Sequence, residues 1–189
     1  KNDFLDGKLH LNTLTYFKSL EGDELRSDRD EGVVSAHQVA EVSFLHKGSW
    51  MPLPVRGAVR THDERFNDLN IMCIYMLSAD SNIIFDPRNE QFGGCAIVIR
   101  DPSEFLRRVR TAAAEEKWEA FLDPVKYVKE DSYEGIMGPF RKFDHFSYQM
   151  EYRIVLRTGV MAPCKLNIGD IRDITYCIAS QEISKIPRG

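Results

Sequence analysis

Gln149, Glu151 and Arg153 stand at alternate positions in the run Tyr148-Gln149-Met150-Glu151-Tyr152-Arg153-Ile154, near the end of a 189-residue chain. Side chains alternate across a β-strand, so this spacing predicts that the three project together on one face while Met150, Tyr152 and Ile154 enter the core. An amide and a carboxylate then stand side by side. A carboxylate on a rigid strand can accept a hydrogen bond from a ribose hydroxyl and stabilise positive charge that develops at the sugar carbon as a glycosidic bond breaks. The neighbouring amide can position the incoming nucleophile. The same pattern also suits an ordinary half-buried strand whose outer polar residues pair with neighbouring strands.

Other chemistries lose support from the sequence. There is no P-loop, dinucleotide-binding glycine motif, nucleophile elbow or H-E-x-x-H pair. The histidines, at 10, 37, 46, 62 and 145, are scattered. Asp28-x-Asp30-x-Gly32 hints at a calcium loop, but Gln38 stands where the bidentate glutamate belongs, so a charged turn is expected. The cysteines at 73, 95, 164 and 177 form no C-x-x-C pair. Three of the four lie in apolar runs, which predicts reduced, packed thiols, no metal, and a cytoplasmic setting. Arg107, Arg108 and Arg110 could touch phosphates, but RNA binding would require them to share a surface with residues such as Arg141 and Lys142. The net charge of −4, from 25 basic and 29 acidic residues, weighs against a phosphate-tracking surface. No apolar run approaches the ~20 residues that span a bilayer, and no membrane partner is expected.

These residues need a scaffold, and the pattern of the chain predicts a single α+β domain over 1–189 with a mostly antiparallel sheet and a few helices. Lys1 to Gly7 reads as the last turn of a helix, so an upstream strand is expected to be missing. Leu9 and Leu11 mark a strand, and Asn12 or Thr13 caps a short helix through Leu14 and Phe17 that Gly22 ends. Val33 to Leu45 reads as one strand, and 48–57, with Pro52 and Pro54, as a loop. Ile71 to Leu77 is apolar throughout, as befits a central strand. Gly93-Gly94 leads into a strand at Ala96 to Ile99. Asp101, Pro102 and Glu104 then start a helix, whose apolar spacing continues through Trp118, Phe121 and Leu122 to Asp123-Pro124. Strands follow at Val125 to Glu130, at 149–156 and at Ile174 to Ile178.

Several of these runs together resemble a known group. Gly7-Lys8-Leu9 with Leu14-Thr15-Tyr16-Phe17, the turn Asp28-Arg29-Asp30-Glu31-Gly32, the run from Gly93 to Ile99 before a helix, and the late Gln149-x-Glu151 strand look like an uncharacterised family of bacterial and phage proteins, similar in layout to ADP-ribosyltransferase-like domains. The resemblance implies an NAD-dependent ADP-ribosyltransferase-like protein of toxin or phage-defence type, acting on a macromolecular acceptor. It implies Glu151 as the catalytic glutamate that holds the nicotinamide ribose and Gln149 as the acceptor-positioning residue. His10 and Ser78 would stand nearest the family's two NAD-binding motifs, although Ser78 is not part of a Ser-Thr-Ser. The alternative is a non-catalytic interaction module of a phage or bacterial defence locus that binds a partner protein.

Overall fold

A computed structural model describes residues 1–18, 30–38, 42–53, 58–77 and 85–186. In chain order these carry α1 (Asn2–Leu5), β1 (Lys8–Thr13), α2 (Leu14–Lys18), β2 (Val33–Gln38), β3 (Val42–His46), β4 (Ser49–Leu53), β5 (Ala58–His62) and β6 (Leu69–Tyr75). They continue with β7 (Cys95–Ile99), α3 (Pro102–Glu115), β8 (Glu119–Pro124), β9 (Lys126–Val128), β10 (Gly135–Ile136) and β11 (Arg141–Phe143), then β12 (Glu151–Arg157), β13 (Cys164–Asn167) and β14 (Thr175–Ala179). Short 3-10 turns join them, notably Pro87–Phe92 and Asp144–Gln149. The fold is α+β and its sheets are mostly antiparallel. No helix among the described residues is long and apolar enough to cross a membrane.

The main sheet has the order β13-β1-β6-β12-β8, so the apolar segment near 71–77 forms the middle strand. Its neighbour β12 pairs antiparallel along the whole of β6, from Glu151 opposite Tyr75 to Arg157 opposite Leu69. Even-numbered residues of β12 face α3: Ile154 and Leu156 are fully buried with Phe105, Val109, Ala112 and Ala113 of that helix and with Leu9, Leu11 and Leu166. The helical spacing of those four α3 residues makes one continuous apolar stripe, and each fully buried aliphatic side chain contributes about 1.5–3 kcal/mol. Odd-numbered residues face the other way, and Val155 packs there with Leu14, Leu69 and Ile71. Gly7 has φ +76 and packs so closely on Gly169 that a Cβ would collide with its carbonyl, which fixes the start of β1 against the end of β13.

Local capping explains the helix starts. Asp101 accepts a hydrogen bond from the Glu104 backbone N–H at 2.9 Å, and Thr13 Oγ1 accepts from the Tyr16 N–H at 3.2 Å. The far end of α3 departs from the sequence expectation. The helix stops at Glu115, Lys117 takes a left-handed φ of 61, and Trp118 leads into β8. Backbone bonds from β12 claim residues 119–124 as a strand, overriding the helix-compatible spacing. Val33 to Leu45 is likewise two strands in different sheets. The segment expected as a proline loop contains β4, which pairs with β3 in a two-stranded hairpin. Gly22 and most of the acidic turn at 23–29 lie outside the described residues.

Candidate functional site

The odd-numbered face of β12 carries a buried polar cluster. Arg153 is 1% exposed, and nothing apolar could hold a guanidinium there. Its Nη1 and Nη2 donate to the two oxygens of Glu31 at 2.7 and 2.8 Å, its Nη1 also donates to the Pro139 carbonyl at 2.7 Å, and its Nε donates to Glu151 Oε2 at 2.7 Å. Lys142, 5% exposed on the short strand β11, donates from Nζ to Glu151 Oε1 at 3.0 Å and to Gln149 Oε1 at 2.7 Å. Two carboxylates and two cations thus form one buried, neutral cluster. Isolated buried ions cost several kcal/mol each, so the cluster persists because every member is bonded. Burial alone would raise the Glu151 carboxyl, but Arg153 and Lys142 outweigh it and hold it at about 2. The Tyr127 hydroxyl, which accepts from the Glu151 N–H at 2.9 Å, is pushed up to about 12, chiefly by burial.

Gln149 and Glu151 are brought together, but not by strand alternation. The strand begins at Glu151, and Gln149 ends a 3-10 turn. Met150 between them has φ 42 and ψ 52, a left-handed conformation that costs a residue with a side chain about 1–2 kcal/mol. Lys142 spans that turn and draws both side chains to one ammonium.

Beside the cluster lies a cavity of about 370 Å³. Its wall includes Glu31, Lys142, Gln149, Glu151 and Arg153, with Asn89, Cys73 and aromatic side chains completing it. Phe17, Tyr75, Phe85 and Phe92 supply those aromatics, and the Tyr75 and Phe85 rings meet edge to face at 5.2 Å. This volume falls within the roughly 300–1,000 Å³ of small-molecule sites, and the mixture of apolar walls with a few fixed polar groups is characteristic of them. Each Glu151 oxygen accepts one hydrogen bond among the described residues and has lone-pair capacity for another.

Other expected residues fall elsewhere. His10 is exposed on β1, because the alternation that buries Leu9 and Leu11 turns it away, and its Nε2 lies 3.1 Å from Asn12 Oδ1. It is not part of the cavity wall. Ser78 lies outside the described residues. Of the residues an RNA surface would need, Lys142 is buried in the cluster, Arg107 and Arg108 pair with Glu104, and Arg108 also pairs with Asp173. All four cysteines carry free thiols, yet their setting differs from the packing expected. Cys95 and Cys177 are exposed on the two-stranded pair β7 and β14, and Cys73, also exposed, lines the cavity.

Glu31, Lys142 and Asn89 were not singled out by the spacing of Gln149 and Glu151. Glu31 lies in the acidic turn and Lys142 between Arg141 and Phe143, so each reads locally as a surface charge. No family model, no curated protein and no solved structure matches the chain.

Proposed function

We propose that the chain is an NAD-dependent ADP-ribosyltransferase-like enzyme whose cavity receives the nicotinamide-ribose half of NAD, with Glu151 as the catalytic carboxylate and Gln149 beside it. The observation that carries this reading is the position of Glu151: a carboxylate fixed from both sides, in the wall of an aromatic-lined cavity of nucleoside size. NAD supplies a glycosidic C–N bond whose cleavage releases neutral nicotinamide and leaves the sugar carbon electron-poor. Glu151 offers a ribose hydroxyl a preorganised acceptor, with no reorganisation needed during the reaction. Lys142 and Arg153 compensate its charge, so its contribution is mainly a fixed hydrogen bond and a local dipole. Gln149, oriented by Lys142, lies where an incoming nucleophile can be guided.

The test is NAD consumption by the purified protein, followed as nicotinamide release. Glu151→Gln keeps the volume but turns one of the two acceptor oxygens into a donor and so unsettles the hydrogen bond offered to the ribose, and is expected to lower turnover roughly 10²–10³-fold. Phe92→Ala, on a partly exposed ring of the wall, is expected to weaken NAD binding while leaving the buried cluster intact. Absence of both NAD binding and nicotinamide release by the wild-type protein would refute the reading.

A second reading, an interaction module for a partner protein, is favoured by the β3–β4 hairpin. Its register puts Leu45 opposite Trp50 and Phe44 opposite Met51, so both faces are apolar, and all four side chains are exposed. Exposed apolar surface of this kind marks an interaction site more often than an idle one. The two readings combine if the hairpin docks the macromolecular acceptor.

A further inference from the structure

Asn89 is 8% exposed in the 3-10 turn Pro87–Phe92, and it lines the cavity. Its Nδ2 donates to the Asp86 carbonyl at 3.2 Å and to the Tyr148 carbonyl at 2.9 Å. Two carbonyl oxygens can be met only by N–H groups, so chemistry fixes the amide's orientation and uses both of its donors. The remaining atom, Oδ1, accepts no hydrogen bond among the described residues. Its lone pairs are therefore available to a donor on a ligand that enters the cavity.

Two neighbours narrow that ligand. Phe92 follows Asn89 by three residues, and residues i and i+3 eclipse in a 3-10 helix, so the acceptor and an aromatic ring stand on the same side of the turn. Both line the cavity. This combination fits a flat ring that carries an N–H group at its edge. The bond to Tyr148, the residue before Gln149, also ties Asn89 to the end of the cavity where Gln149 and Glu151 stand.

Resting on the NAD reading above, we propose that Asn89 is a specificity-determining residue whose Oδ1 accepts a hydrogen bond from the carboxamide N–H of the nicotinamide ring. It distinguishes a ring that bears an amide from one that bears only a carbonyl.

The wild-type protein can be titrated calorimetrically with three dinucleotides: NAD, its 3-acetylpyridine analogue, in which a methyl group replaces the amide nitrogen, and its hypoxanthine analogue, which lacks the adenine amine. The acetylpyridine analogue is expected to bind roughly ten- to a hundredfold more weakly than NAD, as fits one buried acceptor left unpaired, and the hypoxanthine analogue about as tightly as NAD. In Asn89→Ala the gap between NAD and the acetylpyridine analogue should close. Equal binding of those two by the wild-type protein would overturn the role of Asn89 while leaving the NAD reading in place. So would a loss confined to the hypoxanthine analogue, which would put the adenine end against Asn89. Failure of all three to bind would refute the NAD reading itself, and the proposal with it. The analogue comparison uses the wild-type protein and stands even if Asn89→Ala fails to fold.

Discussion

Arg153 links the two carboxylates of the buried cluster, and its removal shows what the cluster costs. With the guanidinium gone, Glu31 loses both of its bonds to Arg153, and the Glu151 carboxylate keeps only Lys142 among the described residues. Arg153→Met should therefore destabilise the protein by about 3–5 kcal/mol, the usual cost of stranding a buried ion, read as a shifted denaturant midpoint. Glu151 makes a separate claim about pH. Its carboxyl is held at about 2 in the fold against an ordinary 4.5, so its protonation favours the unfolded chain. The stability it contributes is fully present above about pH 4.5 and is lost as pH falls through about 2. Wild type should lose melting temperature steeply across that window, and Glu151→Gln should lose less over the same interval. Parallel curves for the two proteins would show that the carboxylate is not held by these cations.

The start of α3 was legible in the sequence because capping is local: Asp101, Pro102 and Glu104 act within one turn. Its end was not. Trp118, Phe121 and Leu122 keep helical spacing, and only pairing with β12, some thirty residues away in sequence, makes residues 119–124 a strand. For the same reason the polar alternation of β12 was readable, whereas its burial by Glu31 and Lys142 was not. Those two arrive from separate parts of the chain, and neither carries a local mark. Pro52 misled in another way: it sits in a two-stranded hairpin, where a residue without an N–H is tolerated at an edge. At this scale the turn after α3 gives a test. Lys117 has φ 61, a conformation that glycine adopts freely, so Lys117→Gly should raise stability by up to about 1 kcal/mol. A loss of stability would mean that the lysine side chain matters more than its backbone.

At the scale of the molecule, the chain divides its apolar surface between two uses. One face of the main sheet is closed by α3, and the other carries the cluster and its cavity. The β3–β4 hairpin belongs to neither layer: Leu45 is 60% and Trp50 71% exposed. Side chains that bury little in the fold add little to its stability, so Leu45→Lys with Trp50→Lys should leave the melting temperature nearly unchanged. If the hairpin docks a macromolecular acceptor, the same double variant should retain nicotinamide release with water as the nucleophile but lose transfer of ADP-ribose to protein in a cell extract supplied with labelled NAD. Charge introduced on both faces would have to be desolvated at any apolar contact, and that cost is absent from the free protein. A large drop in melting temperature would place the hairpin within the folded core, and undiminished labelling of protein would separate it from acceptor binding.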